Sequence, residues 1–135
     1  MALLTWTETY AVKVRAFDQQ HRRLFDLINV LHEAMKEGRG SEIVKPVLLE
    51  LVKYTEDHFA AEESVMQRVA FPGFSTHRQE HIAFTDKVRA FAVNYQAGRA
   101  ALSTPLMHFL RDWLEKHIRG TDQKYTTYLN AKGIA

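Results

Sequence analysis

The stretches HFAAE and HRQEH each place two metal-capable side chains four residues apart, His58 with Glu62 and His77 with His81. On a helix that spacing brings both members to one face, where a pair can chelate one ion or reach two adjacent ones. His21 and His117 are further imidazoles of the same kind, and HIRGTD adds Asp122 five residues after His117. Five is an awkward interval. At about 100° per residue, Asp122 would stand roughly 140° away from His117 on a regular helix. If the two act together, the helix must widen or break between Ile118 and Thr121, and Gly120 is the residue expected to tolerate it.

The chain has no cysteine. That excludes disulfides, thiolate nucleophiles, iron–sulfur clusters and thiolate zinc sites. A metal would be held by nitrogen and oxygen, a donor set that suits iron, manganese or zinc. Five imidazoles and two carboxylates are too many for one tetrahedral zinc and suit two neighbouring metals bridged by the carboxylates.

Positioning such a set falls to helices. After an N-terminal arm with Trp6 and Tyr10, Leu24, Phe25, Leu27, Ile28 and Leu31 recur at helical spacing and mark a first helix over roughly residues 18–37, with Asp18 as its expected N-cap. Ser41 is the expected cap of a second helix running towards residue 69. Pro46 then calls for a kink or a later start. AFPGFS separates a third helix, capped by Ser75 or Thr76, and Thr104 before Pro105 reads as cap and first residue of a fourth. A short polar-aromatic segment follows and ends near Gly133. No strand-like alternation interrupts this order. The expected fold is all-α: an antiparallel up-down-up-down four-helix bundle with an N-terminal arm and a short C-terminal helical extension.

In such a bundle the start of helix one, the end of two, the start of three and the end of four meet at one end. His21, His58, Glu62, His77, His81, His117 and Asp122 all fall there. Two other histidines serve as a control. His32 lies three turns further along from His21, and His108 is about half a turn round the helix from His117, so neither reaches the same centre. Burying this many imidazoles and carboxylates together without a cation would carry a heavy desolvation cost.

Composition sets the bounds on everything else. A chain of 135 residues, 46% hydrophobic and 25% charged, reads as one globular domain over 1–135. A formal charge of +2 argues for neither nucleic acid nor an acidic membrane surface. The N-terminus lacks the basic start and apolar run of a signal peptide, and no apolar stretch approaches the roughly 20 residues of a membrane span. A cytoplasmic, monomeric protein without membrane insertion is expected.

His21, HFAAEE, HRQEH and HIRGTD, together with Trp6 and RDWLEKHI, resemble the hemerythrin family, in particular its stand-alone bacterial members. The resemblance spans nearly the whole chain and fills every ligand position. It implies two irons, one held by His77, His81 and His117, the other by His21 and His58. Glu62, Asp122 and an oxo or hydroxo group would bridge them. With six-coordinate irons, one position is then left open on the iron with two histidines, a place for a diatomic ligand. The resemblance therefore implies reversible binding of molecular oxygen at a non-heme di-iron centre, for storage, delivery or transport, with an oxygen-using enzyme as a conceivable recipient. The chain also lacks the paired Glu-x-x-His motifs of carboxylate-rich di-iron proteins, which speaks against an enzyme. The alternatives are a di-iron enzyme consuming peroxide or nitric oxide, an oxygen sensor module, and a structural metal bundle. Phe25, Phe59, Trp113, Leu114 and Ile118 are candidate walls of an oxygen pocket, and Glu63 is a candidate for orienting an imidazole.

Overall fold

The computed structural model describes every residue except Met1, Arg39, Gly40, Ala100 and Leu102, together with the side chains of residues 41–43. Four long helices follow an arm that contains one 3-10 turn, Glu8–Tyr10: α1 (Arg15–Lys36), α2 (Ser41–Arg68), α3 (Phe74–Gln96) and α4 (Thr104–Lys116). The chain then passes through a π-helical turn, His117–Thr121, and a 3-10 turn, Asp122–Tyr125, into a short α5 (Thr126–Ala131). Among the described residues there is no strand. Short connections make consecutive helices antiparallel, and each turns its apolar stripe inward. The core holds Leu24, Leu27, Ile28 and Leu31 of α1, Leu48 and Leu51 of α2, Phe84 and Val88 of α3, and Leu110 and Leu114 of α4.

The helix starts differ from the sequence expectations in instructive ways. α1 begins at Arg15, so Asp18 lies within its first turn, and the carboxylate reaches back to accept from the Val12 amide at 2.7 Å. It anchors the arm where a cap was expected. α3 starts at Phe74 behind Gly73, ahead of Ser75 and Thr76. For α4 the cap is Ser103, whose hydroxyl accepts from the Leu106 amide at 3.3 Å, and Thr104 is already helical. α2 runs as helix through Pro46, which rules out the later start. An exposed proline in the second turn removes a single backbone hydrogen bond there. The capping role expected of the Ser41 side chain lies outside the described residues.

The arm is clamped along the bundle. Asn29 of α1 exchanges two hydrogen bonds of 2.8 Å with the Leu4 backbone. The Tyr10 ring packs edge-on against Phe25 at 4.9 Å between centroids, and the Arg119 guanidinium lies 4.1 Å from the Tyr10 ring centre. Phe25 is thus committed to the arm rather than to the histidines.

Candidate metal centre

Each bundle helix delivers its part of the cluster from the same end. α1 supplies His21 near its start, α2 supplies His58 and Glu62 on one face, α3 supplies His77 and His81, and His117 opens the π turn. The turn resolves the five-residue interval. The Asp122 amide bonds to the His117 carbonyl, the i to i+5 contact of a π helix. His117 and Asp122 therefore lie on the same side. Gly120 sits inside this turn without a positive φ, and a Cβ there would meet nothing within 4 Å. The widening is real, but glycine's conformational freedom is not what permits it.

All seven residues are buried, none more than 3% exposed. Their Nε2 and carboxylate oxygens converge in two groups that share Glu62. One comprises Glu62, His77, His81, His117 and Asp122, the other His21, His58 and Glu62, with the ligand atoms of each within 4.8 Å of one another. Asp122 also approaches the second group, its Oδ2 lying 3.2 Å from His21 Nε2. His32 is only partly buried and His108 exposed, and neither joins a group.

The contacts inside the cluster fit a cation better than hydrogen bonding. His77 Nε2 stands 2.8 Å from Asp122 Oδ1, yet neither atom has a hydrogen-bond partner. The same holds for His21 Nε2, Glu62 Oε1 and Asp122 Oδ2. His81 Nε2 and His117 Nε2 meet head-on at 3.0 Å. Lone pairs directed into a common space, away from water, are what metal ligands present.

The charges respond accordingly. Burial opposes a proton on His21, but the carboxylates of Asp122 and Glu62 outweigh it and raise its pKa to about 9. At His58 burial prevails over Glu62, and the pKa falls. Burial and the adjacent Glu62 work against ionisation of Asp122, yet His117 and His21 hold its carboxyl well below the usual carboxylate range. Glu62 is likewise lowered against its burial, by His58, His21 and His81.

A second layer of groups holds the imidazoles from outside, as metal-binding histidines require. His58 Nδ1 meets Gln20 Oε1 at 2.5 Å, His81 Nδ1 meets Glu63 Oε2 at 2.9 Å, and His117 Nδ1 meets Glu80 Oε1 at 3.2 Å. The Thr121 hydroxyl donates to the same Glu80 at 2.9 Å, tying the π turn to α3. Tyr125, with no exposed surface, donates to Glu62 Oε2 at 2.6 Å and stacks on His77. Burial first, then Glu62 and Asp122, push its pKa well above the ordinary value, which keeps the donor proton in place. Glu63 was foreseeable beside Glu62. Gln20, Glu80, Thr121 and Tyr125 were not singled out, although Tyr125 follows Asp122 at the interval of a 3-10 turn and Glu80 lies within HRQEH.

Aromatic rings complete the enclosure. Phe59 stacks on His81 with centroids 3.7 Å apart, and Trp113 on His117 at 4.4 Å. A narrow apolar void of about 10 Å³ lies between Leu24, Ile28, Leu51, Phe59, Phe84 and Leu114, with Val88 and Thr55 closing it. Leu24 and Thr55 lie one turn from His21 and His58, and Phe84 and Leu114 one turn from His81 and His117, so the void lies below both groups of ligands. Of the expected walls, Phe59 and Leu114 line it, Trp113 covers His117, and Ile118 is fully buried in the core.

Fold and site together define a four-helix bundle carrying a buried histidine–carboxylate cluster suited to a pair of metal ions. Residues 12–129 match the family model of the hemerythrin HHE cation binding domain. The chain is 36% identical to a bacteriohemerythrin of Methylococcus capsulatus over 132 residues, covering 97% of this chain and all of the relative. It is equally identical over 131 residues to one of Stenotrophomonas maltophilia, covering 97% of this chain and 84% of that one. A crystal structure of wild-type hemerythrin superposes with a TM-score of 0.89 at 33% identity, covering 93% of this chain and 97% of the other. The chain belongs to the hemerythrin family.

Proposed function

We propose that the protein binds molecular oxygen reversibly at a non-heme di-iron centre held by His21, His58, Glu62, His77, His81, His117 and Asp122. His77, His81 and His117 would hold one iron and His21 and His58 the other, with the Glu62 and Asp122 carboxylates and an oxo or hydroxo group shared between them. The observation that carries this reading is the division of the buried donors into two groups sharing Glu62, with three histidines in one and two in the other. Bound there, the iron pair supplies the electrons that reversible oxygen binding uses.

The chain's own residues do the rest. Gln20, Glu63 and Glu80 fix the ring orientations through Nδ1, and Tyr125 holds the outer oxygen of Glu62. The narrow, almost wholly apolar void below the cluster gives water and polar substrates few partners. This favours a carrier or store over an enzyme. No helix among the described residues is long and apolar enough to cross a membrane. We place the protein in the cytoplasm as a monomer delivering oxygen to an oxygen-using enzyme. The test is cyclic: reduced, iron-loaded protein exposed to oxygen and then to vacuum should take up and release intact oxygen over several rounds. Rapid reductant-driven turnover of peroxide or nitric oxide, without recoverable oxygen, would overturn the reading in favour of an enzyme.

A further inference from the structure

The two groups of donors are not equally equipped. Glu62, His77, His81, His117 and Asp122 bring their ligand atoms within 4.8 Å of one another, whereas His21 and His58 gather only with Glu62 at that range. The imidazoles differ in the same sense on their outer side. His81 and His117 are each braced by a carboxylate, Glu63 and Glu80, which orients the ring and adds a compensating negative charge. Behind His58 stands the uncharged amide of Gln20. His21 Nδ1 is buried and has no hydrogen-bond partner among the described residues. Ring packing repeats the contrast. Phe59 stacks on His81, Trp113 on His117 and Tyr125 on His77, whereas His21 and His58 meet each other edge-on. Asp122 Oδ2 does approach His21, at 3.2 Å. Glu62 Oε2, the oxygen 3.5 Å from His21 Nε2, is already engaged by the Tyr125 hydroxyl.

We propose that the two metal positions fill and empty in order: the three-histidine position takes the first divalent cation and holds it, and the two-histidine position is an exchangeable site. Two causes act together. Ligands already oriented and charge-braced cost less to organise around an ion, and the charge of an ion already seated opposes the next one. An exchangeable position with imidazole and carboxylate donors accepts manganese, cobalt or zinc as well as iron. A mixed pair with one resident iron is then attainable. This order rests on the two-metal reading of the cluster and is independent of oxygen.

Reduced, iron-loaded protein kept from oxygen and challenged with a chelator should release its iron in two steps of equal size. The second should be at least about tenfold slower than the first. Stopping after the first step, removing the chelator and adding zinc ions should give protein with equal parts of iron and zinc by elemental analysis. Gln20→Glu, which puts a carboxylate behind His58, should slow the first step by about tenfold and leave the second unchanged. Glu63→Ala, which takes the carboxylate from behind His81, should speed the second step alone, with circular dichroism showing the helices retained. Iron lost from the native chain in a single step would overturn the proposal, as would Gln20→Glu acting on the slow step or Glu63→Ala on the fast one. Native protein that holds a single iron would overturn the two-metal reading, and this order with it.

Discussion

Glu80 and Tyr125 show how far single side chains outside the ligand set control the site. Glu80 accepts from Thr121 and meets the outer nitrogen of His117, so one carboxylate orients a ligand and pins the turn that carries Asp122. Glu80→Ala should weaken iron binding by about 10–100-fold, and Glu80→Gln, which keeps an acceptor, should recover most of it. Competition with a chelator checks this, and equal affinity in all three proteins would refute the positioning role. Tyr125→Phe removes a donor to a buried carboxylate while keeping the ring on His77. In the metal-free protein it should cost about 2 kcal/mol in urea denaturation. A change near zero would mean that Glu62 finds another donor.

At the scale of elements, the π turn decides whether α4 can contribute both a histidine and a carboxylate. Gly120→Ala should leave iron content unchanged and shift stability by no more than about 1 kcal/mol, because the position is open and its φ ordinary. Gly120→Pro should lose iron, since it takes a backbone donor from within the turn. If the alanine variant loses iron, flexibility at 120 matters after all. The need for a widened turn was legible from the interval between His117 and Asp122. Its tolerance was misattributed, because a glycine in a sequence does not disclose its φ. The helix pairs at spacing four were legible for the same periodic reason, and the bundle followed from the apolar stripes and the short connections between them. Helix starts were less so. Ser103, Thr104, Ser75 and Asp18 are all competent cap residues, and only packing of the preceding loop selects among them. Gln20, Glu80 and Tyr125 were hidden because their roles depend on inter-helix register, which one helix's periodicity does not contain.

For the molecule as a whole, the cluster couples folding, protons and metal. In the metal-free protein His21 is raised from 6.5 to about 9, so its share of stability is present below the lower value and is lost as pH rises through the higher one. Asp122 and Glu62 are depressed, so theirs is present above the ordinary carboxylate range near pH 4 and is lost as pH falls through and below it. His58, lowered by burial, adds a penalty as pH drops below about 6.5. Metal-free protein should therefore be most stable around pH 6 and weaken towards pH 9 in urea titrations. Stability that rose steadily from pH 6 to 9 would contradict the arrangement. Iron-loaded protein should lack the alkaline loss, because a ligating imidazole carries no extra proton.

The central claim is that one pair of irons is held by carboxylates common to both. Iron quantification in the purified protein and in the Glu62→Ala and Asp122→Ala variants tests it most directly. The account predicts about two irons per chain and the loss of both in either variant, with the helical content retained. One iron per chain, or a variant that sheds a single iron and keeps the other, would contradict it.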